Sequence, residues 1–367
     1  MPPRRVQKAY NGFMRDYIKN FGADVVTKAW ELVNATRPKI ARLINAREYH
    51  EIAFVKNTCE GVSILANGYP LKRGDNIIVA DQEHQSNLFP WINIHERKGI
   101  RLKIVKSANG EISWRDFVDA IDGRTRILAL SAVQFSTGFY ADLKKIGEAC
   151  RRSGVVFAVD GIQALGRLRI NVQDMNIDYL SSGTNKGLLG TLGAGFVYCS
   201  DHIVREIIPP YASYQSTISH VAPPAITTNF ESIEWYPHAR RFESGNLSYN
   251  CINAISQGID LLQELGISNI ETHILHLEQE LRDRIRHLPL RTVQPKYRKN
   301  WSGIICVYYP ENKDMEVTGI LAKYKIYATV RAGYIRFGLN FYNTVEQMRI
   351  VAKALEEIAS LVDSVQI

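Results

Sequence analysis

VVFAVDGIQALG (residues 155–166) and SSGTNKGLLG (residues 181–190) decide the fold of this chain. The first is a short, unbroken apolar run that stops at Asp160 and a glycine. It lacks the polar alternation of a half-exposed strand and suits a strand buried on both faces, as in a parallel sheet. Asp160 then falls at the strand's C-terminal end, the edge where open α/β sheets place their ligands. The second stretch is another short strand running into a glycine-rich turn, with Lys186 held among small residues.

Outward from this pair the same alternation continues. EIAFVKN (51–57), DNIIVAD (75–81), RLKIVK (101–106), RILALSAVQ (126–134), DYLSSGTN (178–185) and GAGFVYCS (193–200) read as strands. GVSILANGY (61–69), HQSNLFPWINIHERKG (84–99) and DLKKIGEACRRSG (142–154) read as helices, the last with a glycine stop. Strands alternating with helices imply an α/β fold, a mostly parallel sheet flanked by helices. Residues 13–44 carry a helical period, as do 252–288 and 344–365, while 303–309 and 334–338 read as strands. The expected organisation is an N-terminal helical segment (1–45), a large α/β domain (46–240) and a smaller C-terminal α+β domain (241–367).

Composition narrows the function. In 367 residues, 46% are hydrophobic and 22% charged, a globular balance, and no apolar run is long enough to span a bilayer. The N-terminus has basic residues but no apolar core of a signal peptide. The five cysteines are scattered and never form a C-x-x-C pair, which argues against a disulfide framework or a metal site and for the cytoplasm. The net charge of +8 comes from short basic clusters separated by acids. A nucleic-acid surface would gather them on one face, so the expected effect is attraction of small anions.

Asp160 and Lys186 supply the chemistry. A carboxyl group at the end of a buried strand needs a partner. The protonated pyridine nitrogen of pyridoxal 5′-phosphate is one, and a carboxylate there keeps the ring able to withdraw electrons from a substrate. A crowded lysine of lowered pKa is what Schiff-base chemistry with the same cofactor requires. VDGIQALG followed by SGTNKGLLG resembles the class V aminotransferase family of fold type I pyridoxal-phosphate enzymes, which includes cysteine desulfurases, selenocysteine lyase and isopenicillin-N-epimerase-like proteins. The resemblance covers almost the whole chain. It implies that Asp160 holds the pyridine nitrogen, Lys186 carries the cofactor and Gln163 bonds its phenolic oxygen.

Other segments fit the resemblance. NTCEG (57–61) lies between a strand and a helix, where free amides and a threonine hydroxyl can cradle a phosphate; Thr58 and Cys59 are the expected contacts, joined by Thr184, Asn185 and Asn246. In DQEHQSNLFPW (81–91), His84 matches the histidine that stacks on the pyridine. In VRAGYIRFGLN (330–340), Arg336 matches the arginine that clamps the substrate's α-carboxylate, and Arg331 is a second anion contact. ARRFESGNLSY (239–249) and PPYASYQST (209–217) imply a homodimer with composite sites, residues 214–217 and 245–246 approaching the partner's cofactor.

Four features depart from the family. Asn185 stands in place of histidine before the lysine, Asn246 in place of threonine, and Phe135 in place of an asparagine; the chain also begins later than its relatives. No cysteine occupies the loop before Arg336, where desulfurases carry their nucleophile, and Cys306 lies in the apolar run IICVYY (304–309). The function expected from these residues is a lyase acting on a small amino acid through a Cα carbanion, by β-elimination or C–S cleavage without a persulfide. Transamination and epimerisation are the alternatives, and a cofactor-binding regulator is the non-enzymatic one.

Overall fold

The computed structural model describes residues 2–20, 22–218, 233–293, 295–331 and 333–363. Two N-terminal helices, α1 (Arg4–Lys19) and α2 (Ala23–Ile44), lead into β1 (Ile52–Val55). Then follow α3 (Thr58–Gly68), β2 (Asn76–Ala80), α4 (Gln85–Lys98), β3 (Arg101–Val105), α5 (Trp114–Ala120) and β4 (Thr125–Ser131). The alternation ends with α6 (Leu143–Ser153), β5 (Val156–Asp160), β6 (Tyr179–Gly183) and β7 (Gly195–Cys199).

These strands form one seven-stranded sheet in the order β1-β7-β6-β5-β4-β2-β3. Only β7 runs against the rest, since it is antiparallel to both β1 and β6. The C-terminal ends of β1, β2, β4, β5 and β6 therefore open on one edge. The apolar run of residues 155–159 shows why the sheet is covered on both sides. Phe157 and Val159 pack into one buried cluster, with α2, α6 and α7 (Tyr249–Leu265) residues such as Ile40, Ile146 and Ile255. Val156 and Ala158 point into a second cluster with Leu65 of α3 and Trp91 of α4.

The remaining chain is α7, α8 (Ile267–Ile285), β8 (Thr292–Val293), β9 (Ile304–Tyr308), α9 (Asp314–Lys323), β10 (Thr329–Arg331), β11 (Tyr334–Gly338) and α10 (Val345–Asp363). Its four strands make an antiparallel sheet, β10-β11-β9-β8. The last residues assigned to the C-terminal helix by periodicity, 364–365, lie outside the described residues.

The helix expected over 13–44 is in fact two. Asn20 leaves helical geometry, and Gly22 is fully extended at the start of α2. The first helix also begins earlier, at Arg4, because it packs along α7: Val6 is fully buried and Arg5 bonds Gln257 and Glu264. Helix α2 is pinned by a buried ion pair. Both terminal nitrogens of Arg37 meet Glu243, at 2.7 and 2.9 Å, and Glu243 also accepts from the Phe54 amide of β1. Glu243→Gln should cost about 3–5 kcal/mol in urea unfolding, because Arg37 is left buried without its counter-charge. An unchanged midpoint would remove this pair from the determinants of stability.

Candidate active site

Two loops leave the open edge of the sheet side by side, one after β5 and one after β6. They meet backbone to backbone. A Cβ on Gly166 would lie 2.2 Å from the Gly187 carbonyl oxygen, and one on Gly187 would lie 2.3 Å from that of Leu165. Only glycines allow this approach, and Gly166 also has a left-handed backbone. The contact sets Lys186 beside Asp160. Asp160 is 3% exposed and in register with Ser131 of β4 and Ser181 of β6. One of its oxygens accepts from the Ile162 amide at 2.9 Å. Burial pushes its carboxyl up to about 7, with Glu83 adding to the shift and Lys186 opposing it. Lys186 is open to solvent, but the protein crowded around it lowers its ammonium pKa, and Arg336 and Arg167 lower it further against the pull of Asp160.

His84 caps α4, its Nδ1 accepting from the Ser86 amide at 3.1 Å. Partial burial, Lys186 and Arg336 all depress its pKa, so the ring is neutral. Its edge-to-face neighbour is Phe135, with centroids 4.9 Å apart. From the second sheet, Arg336 reaches across and donates to the Phe135 carbonyl at 2.9 Å. Lys186, Asp160, His84 and Arg336 thus converge from four separate segments. Gln163, Arg167 and Arg336 line the same cavity of about 660 Å³, walled on its far side by α9 and β10.

The other expected contacts fall in different places. Thr58 is buried; its Oγ1 accepts from the Gly183 amide at 2.8 Å, which ties the first turn of α3 to the end of β6. Cys59, the next residue, is exposed. Thr184 is fully buried, and its hydroxyl bonds the backbone carbonyls of Thr191 and Ala194, so it braces the loop rather than facing outward. Asn185 is exposed beside it. Asn246 is also exposed and accepts from the Tyr214 hydroxyl at 2.9 Å. Arg331 is exposed on β10, opposite Tyr334.

Two residues escaped the sequence reading. Glu83 is wholly buried behind the site, and Arg167 is a buried guanidinium whose pKa falls to about 10 through desolvation. A charged residue flanking a recognised histidine was the available signal for the first; the second stands in an unremarkable GRLR run.

Pyridoxal 5′-phosphate fits these groups. Asp160 is a buried carboxyl whose one hydrogen bond comes from an amide, and a protonated pyridine nitrogen would stabilise its charged form. Lys186 adjoins it with a lowered pKa, His84 offers a neutral ring, and the N-terminus of α3, where Asn57 caps the Glu60 amide, places the Thr58 and Cys59 amides to suit a phosphate. In the protein without cofactor, the raised pKa of Asp160 makes its neutral form the stabilising one. That contribution is present below about pH 4 and is lost as pH rises toward about 7. Apoprotein carrying Asp160→Asn should therefore lose less stability between pH 4 and 7.5 than wild type, measured by urea unfolding at each pH. The substitution also removes the attraction between Asp160 and Lys186, which in wild type offsets part of the cost of ionising Asp160. Parallel pH profiles would show that Asp160 is ionised throughout.

Comparison with known proteins gives the family. The sequence profile of the family described as aminotransferase class-V matches residues 1–351. A probable cysteine desulfurase of Methanothermobacter thermautotrophicus is 26% identical, over 98% of this chain and 92% of the relative. The apo structure of a cysteine desulfurase from Thermococcus onnurineus NA1 superposes with a TM-score of 0.88 at 22% identity, covering 99% of this chain and 92% of that one. A C-DES variant with glycine covalently linked to its pyridoxal-phosphate cofactor gives a TM-score of 0.87 at 20% identity, over 97% and 94% of the two chains. These relatives correct one expectation: a lyase that forms no persulfide is overturned by homologues named as cysteine desulfurases, which do form one. The exclusion had rested on a missing cysteine before Arg336. β10 ends at Arg331 and β11 begins at Tyr334, so only two positions of sequence separate them, and a cysteine missing there does not by itself exclude persulfide formation. Profile, fold and converging side chains agree that this chain belongs to the class V aminotransferase family and is a pyridoxal-phosphate-dependent enzyme.

Proposed function

We propose that the enzyme removes sulfur from L-cysteine, leaving L-alanine and passing the sulfur to a thiol. The observation that carries this reading is the convergence of Lys186, Asp160, His84 and Arg336 in a chain that a named cysteine desulfurase matches nearly end to end. When bound, the cofactor supplies an electron sink for negative charge at the substrate's α-carbon. The protein does the rest. Arg336 takes the α-carboxylate in its fork, while its bond to Phe135 holds it in place. Asp160 keeps the pyridine nitrogen protonated. Lys186, its pKa lowered by the protein crowded around it, takes the proton from the α-carbon as general base. His84 packs a neutral ring against the pyridine.

The sulfur step balances without an outside oxidant. The C–S bond of cysteine breaks, an S–S bond to the acceptor thiol forms, and hydrogen fills the vacated position on the β-carbon. Two described cysteines have suggestive positions. Cys306 is paired in register with Arg336, and its thiol lies 3.3 Å from both the Ser136 carbonyl and the Tyr334 hydroxyl. Burial pushes that thiol up to about 11, so it holds its proton until a base removes it. Cys59 is exposed at the first turn of α3.

The same proposal includes a homodimer in the cytoplasm. Tyr214, 67% exposed and bonded to Asn246, is the arm expected to reach the partner's cofactor. Five unpaired cysteines suit a reducing compartment.

Incubation with L-cysteine should yield alanine and a trapped persulfide. Its mass on a peptide containing Cys306 or Cys59 would place the acceptor in the chain, and on an added small thiol would place it outside. Transfer of the amino group to the cofactor, with no alanine released, would overturn the proposal. Arg336→Ala should raise KM for cysteine by about 30- to 100-fold, the worth of a lost bidentate charged contact. Lys186→Ala should still bind cofactor, but borohydride should no longer fix it covalently to the chain. A stable reduced adduct in that variant would assign the linkage to another lysine.

A further inference from the structure

We propose that Glu83 is a positioning residue that holds the two walls of the cofactor site, the His84 wall and the Arg336 wall, through separate side-chain branches. Its carboxylate is fully buried and receives four hydrogen bonds, all from neutral donors. The Ser131 amide and Gln134 Nε2 donate to Oε1, each at 2.8 Å. The Ser131 hydroxyl donates to Oε2 at 2.5 Å and Asn87 Nδ2 to the same oxygen at 2.8 Å. A buried carboxylate met only by neutral groups costs more than a packed apolar side chain unless the network serves a purpose.

The branches say what that purpose is. Asn87 lies in the first turn of α4, the helix that His84 caps, so one branch fixes the end of the helix that presents the imidazole. Gln134 immediately precedes Phe135, whose ring meets His84 and whose carbonyl receives Arg336, so the second branch sets the aim of the arginine. Ser131 is the register partner of Asp160, and the shared anchor ties both walls to the strand end beside the pyridine-binding carboxyl. Glu83 touches neither substrate nor cofactor in this arrangement. It acts through His84, Phe135 and Arg336.

This inference rests on the cofactor-binding reading of the site and not on cysteine as substrate. The test therefore uses two binding constants: cofactor affinity of the apoprotein, and affinity of the loaded enzyme for glycine, which has a carboxylate but no sulfur. Both are read from the cofactor's absorbance. Asn87→Ala should weaken cofactor binding about tenfold and leave the glycine constant within about twofold. Gln134→Leu should do the reverse. Glu83→Gln should weaken both, with an apoprotein melting temperature close to that of wild type. A merely structural Glu83 would give single-branch variants that lower both constants together with the melting temperature, and that result would overturn the proposal. So would unchanged constants in Glu83→Gln, or a wild-type enzyme that shows no spectral response to glycine.

Discussion

Everything at this site depends on two loops being able to touch through their backbones. Gly166 and Gly187 leave no room for a Cβ on either side. That approach draws the turn after β5 and the turn after β6 together, and so draws Lys186 toward Asp160. Their opposite charges then moderate the two pKa shifts that burial imposes, lowering the acid and raising the amine. A side chain at either glycine would force the loops apart, because its Cβ would lie 2.2 or 2.3 Å from a backbone carbonyl oxygen. Asp160 would then be a buried carboxyl without the nearby ammonium that lowers its cost of ionisation.

The second sheet adds to what the first supplies. The seven-stranded sheet and its loops offer a carboxyl, an amine and an imidazole along one edge, with the Arg167 guanidinium in the adjoining cavity. Arg336 adds a second guanidinium from β11, and its bond to Phe135 is one of several that join the two halves, with Tyr334 to Ser136 and Ser302 to Gly138. β10 and β11 pair in register up to Arg331 and Tyr334. The cavity that Arg336 lines is bounded by α9 and β10. Cys306 is the strand residue paired with Arg336 and faces the same way.

Buried charge recurs wherever distant segments are tied together. Arg37 and Glu243 join α2 to β1, Glu83 joins α4 to β4, and Glu278 joins Arg282 to the Gly303 amide near β9. In each case the acid sits where backbone amides or side-chain amides would otherwise be left unpaired. The ARRFESG run shows the consequence for sequence reading. Its glutamate looked like part of a dimer contact, yet it is consumed within the chain by Arg37 and the Phe54 amide.

By itself the sequence determined the strand ends and their chemistry. An apolar run that stops at an acid, and a glycine-rich turn around a lysine, are local patterns, and local patterns survive being read one segment at a time. The same holds for the glycine that stops α6 at Gly154, in the left-handed conformation that glycine adopts without strain. The break at residues 20–22 was not legible, because the helical period runs through it and only packing of α1 on α7 separates the two helices. Glu83, Arg167 and the place of Cys306 were decided by tertiary structure alone. Each depends on which segment from elsewhere in the chain lies against it: Ser131 and Gln134 for the first, Ser302 for the second, Ser136 and Tyr334 for the third. A buried ionisable group takes its role from neighbours that sequence spacing does not specify, since desolvation and hydrogen bonding act across space and not along the chain.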